Sequence, residues 1–135
     1  MPGSRVDREK TCPLLLRVFL KVDARHTARD FEFESTDEAQ EGEVQIHTWK
    51  DASLAELVQL LMGVHDLAAQ RSTRILFSLA YPGKEGKIVI RPIGQCFGGF
   101  RKSDHDTRTL QECGFATGDF MGVALLTPDI QDRLT

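Results

Sequence analysis

Hydrophobic and polar residues alternate in five segments of the chain, and in one further segment the hydrophobic residues recur at helical spacing. The first alternating segment is TCPLLLRVFLKV. Its two faces are Leu14, Leu16, Val18 and Leu20 on one side and Leu15, Arg17, Phe19 and Lys21 on the other. Alternation with a period of two predicts a first β-strand, and the apolar residues of the second face predict that this face is partly covered.

The next segment, from Asp23 to Gly42, is acidic and contains few large apolar groups. We expect a solvated loop there, with DFEFES as a short exposed strand. EVQIHTW follows, and Val44, Ile46 and Thr48 share one of its faces. This pattern predicts a second strand, antiparallel to the first because the loop between them doubles back.

DASLAELVQLLMGVHDLAAQ is the segment with helical spacing. The residues of its apolar stripe are Leu54, Leu57, Val58, Leu61, His65 and Ala68. Ser53 and Glu56 form an S-x-x-E capping box, which satisfies two backbone amides at a helix start. The spacing predicts a helix over Leu54 to Ala69, and its single apolar stripe needs one face of a sheet to cover it.

RILFSLAY and KIVIRP predict a β-hairpin around the turn PGKEG, and Pro92 is expected to end the second strand. GDFMGVALL alternates again and predicts the last strand. The intervening TLQECGF is too short for a second full helix. A ferredoxin-like fold, which needs that helix, is therefore not favoured.

The predicted order is two strands, a helix, a hairpin and a final strand that pairs with the first. The simplest closure is an α+β fold, a ubiquitin-like β-grasp roll in which a mixed sheet packs on one main helix. A chain of 135 residues is long enough for one core. We expect a mobile N-terminal arm at residues 1–11, the ubiquitin-like domain at residues 12–128, and a polar tail at residues 129–135.

Composition and charge exclude several classes of function. The net charge of −3 and the pI near 5.8 show no basic excess, so direct binding of nucleic acid is not favoured. No apolar run approaches the roughly 20 residues that span a bilayer, and the N-terminus lacks the apolar core of a signal peptide, so we expect an intracellular protein without membrane contact. Three cysteines without a C-x-x-C pair predict free thiols.

The stretch IGQCFGGFRKSDHDT, residues 93–107, combines several residue types that occur in active sites. The stretch does not match a phosphate-binding Walker A motif, because Phe100 and Arg101 stand between Gly99 and the Lys102-Ser103 pair and no helix follows directly. A metal site is not favoured, because no second cluster of metal-ligating side chains lies nearby in the sequence. Cys96 and His105 lack an orienting residue and an oxyanion site. We therefore predict no enzyme, no cofactor and no metal site.

The same stretch contains candidate residues for binding a partner protein. Phe97 and Phe100, together with Trp49, are candidate anchors because aromatic residues dominate interface energetics. Arg101 and Lys102 are candidates for pairing with an acidic partner segment. Local packing of the loop, and of Trp49 as a lid over the edge of the core, is the alternative interpretation of all five.

DREKTCPLLLRVF, EVQIHTWKDASLAELV and TLQECGFATGDFMGVAL resemble three signature blocks of the Sin-three-associated polypeptide of eighteen kilodaltons, a histone deacetylase complex subunit family. The resemblance runs from about Val6 to Pro128. It implies a ubiquitin-like, non-catalytic adaptor that is monomeric when isolated and located in the nucleus, including nuclear speckles, and also in the cytoplasm. It implies association with the Sin-three histone deacetylase corepressor in transcription repression.

The resemblance also implies a role in the apoptosis- and splicing-associated complex. There the implied partners are Acinus, or Pinin in a related assembly, and the RNA-binding protein with serine-rich domain, which attach to the exon junction complex and regulate mRNA splicing. The alternative class is an RNA-binding accessory domain that uses a small basic patch. The residues of that patch would be Arg91, Arg101, Lys102 and Arg108.

Overall fold

Each of the five alternating segments forms a strand in the computed structural model of the protein, which describes residues 7–31 and 43–128. The elements within these ranges are β1 (Leu14–Val22), β2 (Glu43–Thr48), α1 (Leu54–Met62), β3 (Arg74–Pro82), β4 (Ile88–Phe97) and β5 (Phe120–Leu126). Short 3-10 helices cover Ala28–Phe31, Asp66–Ala69 and Lys84–Gly86. The predicted polar tail lies outside the described residues.

The strands form one mixed sheet in the order β2-β1-β5-β3-β4. The first and last strands run parallel at its centre, with Val18 opposite Met121, and the other neighbouring pairs are antiparallel. The predicted pairing of the last strand with the first is confirmed, as is the antiparallel pairing of β1 with β2. The α+β class, with a mixed sheet on one main helix, is also confirmed within the described residues.

Helix α1 covers one face of the sheet with its apolar stripe. The buried residues of α1 are Leu54, Leu57, Val58 and Leu61. On the sheet they join a core cluster that includes Leu16, Val18, Ile75, Phe77, Leu79, Met121, Val123 and Leu125. These sheet residues alternate along their strands, so the period of two places the helix-side core as the sequence predicted.

The helix is shorter than its apolar spacing predicts. Ser53 caps its start as expected, since its Oγ accepts from the Glu56 amide at 3.1 Å. The predicted end at Ala69 is wrong, because α1 ends at Met62 and the chain turns at Gly63. His65 has an extended backbone, and its Nδ1 accepts from the Leu67 amide. This hydrogen bond caps a separate 3-10 helix, Asp66–Ala69. His65 is thus a cap between two short helices.

The second face of the sheet is partly covered by the segment after β1. Phe31 is only 3% exposed, and its ring lies 5.3 Å from that of Phe19 and 6.2 Å from that of Phe120. The predicted exposed strand DFEFES is therefore wrong at its first two residues, which belong to a 3-10 helix, and residues 32–35 lie outside the described ranges. A Cβ at Gly122 would approach Phe31 within 3.1 Å, so glycine allows this close packing.

Strand β4 continues through Pro92, where the sequence predicts its end. Proline lacks an amide donor, but β4 is an edge strand and its pairing with β3 is interrupted by a bulge between Phe77 and Ser78. The register resumes with Gly94 opposite Phe77 and continues to Phe97. Residues 93–97 of the predicted loop are therefore part of the sheet.

The contrast between Phe31 and Phe100 provides a test of the covered second face. Phe31→Ala should lower the free energy of unfolding by about 3–5 kcal/mol, because it removes a buried ring that the neighbouring rings cannot replace. Phe100→Ala, at a side chain that is 71% exposed, should change it by less than about 0.5 kcal/mol. Urea unfolding followed by circular dichroism measures both, and equal effects would contradict the burial of Phe31.

Candidate partner-binding surface

Two glycines fix the start of the loop that follows β4. The Gly98 amide donates to the Thr73 carbonyl and the Gly99 amide to the Ala68 carbonyl, each at 3.0 Å. A Cβ at Gly98 would lie 2.4 Å from the carbonyl oxygen of Gln70, and Gly99 has a φ of +59°. Both positions therefore require glycine. The pair holds the loop directly against the 3-10 helix after α1.

Three side chains of the loop bind the outer edge of β4. Ser103 Oγ donates to the Gln95 carbonyl at 2.8 Å, and His105 Nδ1 accepts from the Gln95 amide at 2.9 Å. Arg108 Nη1 donates to the Ile93 carbonyl at 2.7 Å. Polar groups on an edge strand normally need covering or solvent. The hydroxyl, imidazole and guanidinium thus have a structural role here, covering the edge in place of a neighbouring strand.

The structure brings three of the five predicted partner-binding residues together. Phe97, Phe100 and Arg101 line a small groove of about 130 Å³ against helix α1. The Arg101 guanidinium lies 3.9 Å from the centroid of the Phe97 ring, and this cation–π contact fixes its position. Phe100 has a φ of +63° and projects into solvent. The remaining lining residues, which the sequence analysis missed, are Ala55, Val58, Gln59 and Asp106.

Lys102 and Trp49 are not among the residues that line this groove. Lys102 is exposed in the loop directly after Arg101. Trp49 instead contacts the N-terminal arm: its indole N–H donates to the Thr11 carbonyl at 2.9 Å, and the Arg8 guanidinium lies 4.8 Å from its ring centroid. Trp49 therefore lies outside the groove that Phe97 and Phe100 line, and its role in partner binding stays a prediction.

Arg8 attaches the arm to the start of α1, a contact that sequence reasoning missed. Its guanidinium donates to Asp51 Oδ1 at 2.9 Å and to Glu56 Oε2 at 3.1 Å. The capping-box pattern predicts that the Glu56 carboxylate accepts from a backbone amide at the helix start. In the structure this carboxylate accepts from Arg8. Residues 1–6 of the predicted arm lie outside the described ranges, and the domain limits at residues 12 and 128 stay a prediction.

The four residues of the alternative basic patch are divided between two surroundings. Arg91 and Arg108 line a hollow that also contains Glu112, and the Arg91 guanidinium lies 6.0 Å from the Tyr81 ring centroid. Arg101 lines the groove on α1. The RNA-binding alternative stays an untested prediction.

Cys96, the candidate nucleophile, is held as a neutral thiol. The side chain is buried, and burial, with a smaller contribution from Asp106, raises the pKa of the Cys96 thiol to about 12. Burial also raises the pKa of the Cys113 thiol, although Arg108 opposes the shift. His105 Nδ1 already accepts from a backbone amide. The arrangement therefore offers neither a thiolate nor an imidazole nitrogen positioned as its base.

Within residues 7–31 and 43–128, no group of three or more histidine, cysteine, aspartate or glutamate side chains is placed to hold a metal ion. Among the described helices, none is both long and apolar enough to cross a membrane. The cysteines Cys12, Cys96 and Cys113 are free, as predicted.

Cys12, which is exposed, and Cys96, which is buried, should differ in reactivity towards a thiol reagent. At pH 8, a thiol with a pKa near 12 is ionised to only about 0.01%, and Cys96 is also inaccessible. We expect exposed Cys12 to react with dithionitrobenzoate in the folded protein and Cys96 to react only after denaturation. A Cys12→Ser/Cys113→Ser variant, in which Cys96 is the only cysteine, serves as the control. Rapid labelling of Cys96 in that folded variant would contradict the buried, neutral thiol.

Comparison with known proteins identifies similar chains over nearly the whole sequence. The family model described as Sin3 associated polypeptide p18 (SAP18) matches residues 5–125. A protein of Arabidopsis thaliana named histone deacetylase complex subunit SAP18 is 44% identical over 121 residues, which cover 89% of this chain and 78% of the relative. The human protein of that name is 39% identical over 129 residues, covering 95% and 82%. The Drosophila melanogaster protein is 35% identical over 127 residues, covering 93% and 81%.

Proposed function

The chain belongs to the Sin3 associated polypeptide p18 (SAP18) family, and on that basis we propose that it is an accessory subunit of a nuclear histone deacetylase corepressor complex, acting in transcription repression. The family is non-catalytic, and the chain is accordingly not an enzyme. The observation that carries the proposal is the match over residues 5–125, together with relatives that are named as subunits of that complex.

The proposed architecture is a ubiquitin-like β-grasp roll. Support comes from the strand order β2-β1-β5-β3-β4, with the parallel pair at the centre and α1 placed between the first antiparallel pair and the second. Such a fold offers sheet edges and exposed loops as interaction surfaces. For an adaptor protein of this fold, the best candidate for partner binding is a surface that is both exposed and fixed in position.

We assign partner binding to the groove lined by Phe97, Phe100 and Arg101, with Lys102 beside it. Aromatic and arginine side chains are enriched among residues that dominate binding energies. Phe100 is exposed although it is a large apolar residue, and it directly follows the glycine pair whose amides are hydrogen-bonded to Thr73 and Ala68. A surface held in position before binding loses little conformational entropy on association. The proposed partner segment supplies an apolar side chain for Phe100 and a carboxylate for the cations.

A finer proposal concerns the second assembly implied by the family resemblance. In it the chain also joins the apoptosis- and splicing-associated complex with Acinus or Pinin and the RNA-binding protein with serine-rich domain. The chain would thereby connect the corepressor with mRNA splicing at the exon junction complex, in nuclear speckles and also in the cytoplasm. Only the three sequence blocks that resemble the family support this step.

The proposed surface predicts the result of a purification from nuclear extract. Tagged protein should recover histone deacetylase activity, whereas Phe97→Ala/Phe100→Ala should recover at least about thirtyfold less, because the loss of even one anchor at the centre of an interface costs roughly 2 kcal/mol or more. Val89→Ala, which truncates another exposed apolar side chain on β4, is the matched control and should recover the full activity.

Circular dichroism confirms that each variant is folded before it is compared. If the wild-type protein recovers no deacetylase activity, membership of the corepressor complex is contradicted. If the folded double variant recovers as much activity as the Val89→Ala control, the contact surface lies elsewhere on the molecule.

A further inference from the structure

A second concave surface lies on the face of the sheet that α1 does not cover. A cavity of about 470 Å³ has Leu76 and Ser78 of β3, Ile90 of β4 and Ala124 of β5 among its lining residues. Leu76, Ser78 and Ala124 alternate with residues of the helix-side core, which places them on the opposite face. The floor is therefore mainly apolar, and it is separate from the Phe97–Phe100 groove, which lies against α1.

The two formally charged residues that line this cavity, Arg25 and Arg108, are both arginines. Arg25 and His26 line it from the segment after β1, and His105 and Arg108 line it from the loop that covers β4. No aspartate or glutamate is among its lining residues in the described part of the chain, although the whole chain has a net charge of −3. Cations beside an apolar floor favour a ligand that is both acidic and aliphatic.

The hydrogen bonds of His105 and Arg108 leave donors for such a ligand. His105 Nδ1 accepts from the Gln95 amide, so the neutral ring carries its proton on Nε2. Arg108 uses Nη1 for the Ile93 carbonyl, and a guanidinium has further N–H groups in the same plane. His26 is fixed between Asp30 Oδ2 and the Val123 carbonyl, each at 3.2 Å, and forms a rigid part of the opposite wall.

We propose that this cavity binds an acidic segment of a partner protein. A carboxylate of the segment lies between Arg25 and Arg108 and accepts from His105 Nε2, while neighbouring aliphatic side chains contact Leu76 and Ile90. The inference rests on the proposed adaptor function only in taking a protein segment as the occupant. Because this site and the groove on α1 share no lining residue, one chain can hold two partner segments at once.

The test measures binding of a fluorescein-labelled decapeptide in which glutamate alternates with leucine or valine, by fluorescence anisotropy. The same peptide with glutamine in place of glutamate should bind at least about tenfold more weakly, since it lacks the carboxylates that the cationic walls recognise. Arg25→Glu should weaken binding of the acidic peptide at least about tenfold. Arg29→Glu is the matched control, because Arg29 is exposed on the same segment, is not among the cavity-lining residues and undergoes the same change of charge.

A second variant, Ser78→Met, fills the floor without changing charge and should also weaken binding at least about fivefold. Thermal unfolding checks that all variants are folded. Equal weakening by Arg25→Glu and Arg29→Glu, or unchanged binding to both Arg25→Glu and Ser78→Met, would overturn the site. Displacement of the peptide by an RNA oligonucleotide, but not by excess unlabelled acidic peptide, would also overturn it. None of these failures alters the recovery of deacetylase activity, so the two proposals fail independently.

Discussion

The parallel pairing of β1 with β5 is the constraint on which the rest of the structure depends. It joins segments about a hundred residues apart and gives each a second neighbour, β2 for β1 and β3 for β5. Asp23 closes the pair at its end: the backbone N–H donates to the Leu125 carbonyl, and Oδ1 accepts from the Thr127 amide at 2.9 Å. Once this centre forms, α1 has one face to cover and β4 is left at the edge.

The edge position of β4 explains why the stretch at residues 93–107 contains so many catalytic residue types and no catalytic arrangement. An edge strand interrupted by Pro92 and a bulge needs other groups to satisfy its outward backbone. Ser103, His105 and Arg108 supply them, while Cys96 points into the core. The side chains left exposed by this arrangement include an aromatic ring, Phe100, and two cations, Arg101 and Lys102. They suit a binding surface, in agreement with a non-catalytic family.

Patterns of neighbouring residues in the sequence predicted those structural features that depend on interactions between neighbouring residues. Strand alternation and the Ser53 cap were sufficient for the sheet segments and the start of α1. The end of the helix, the burial of Phe31 and the passage of β4 through Pro92 depend on tertiary contacts that spacing does not encode. The same limit applies to the candidate surface. Phe97, Phe100 and Arg101 could be selected by residue type, and the spacing of Ala55 and Gln59 could have indicated a common helix face. That these two sets of residues line one groove could be seen only in the folded structure.

Amide hydrogen exchange of the free protein tests the central claim, that the loop after β4 is a fixed surface and not a mobile catalytic loop. The amides of Gln95 and Gly99 report on it, since one donates to His105 and the other to Ala68. The account predicts that both exchange at least about a thousandfold more slowly than in an unfolded peptide. Exchange at the unfolded rate in the native protein would contradict it.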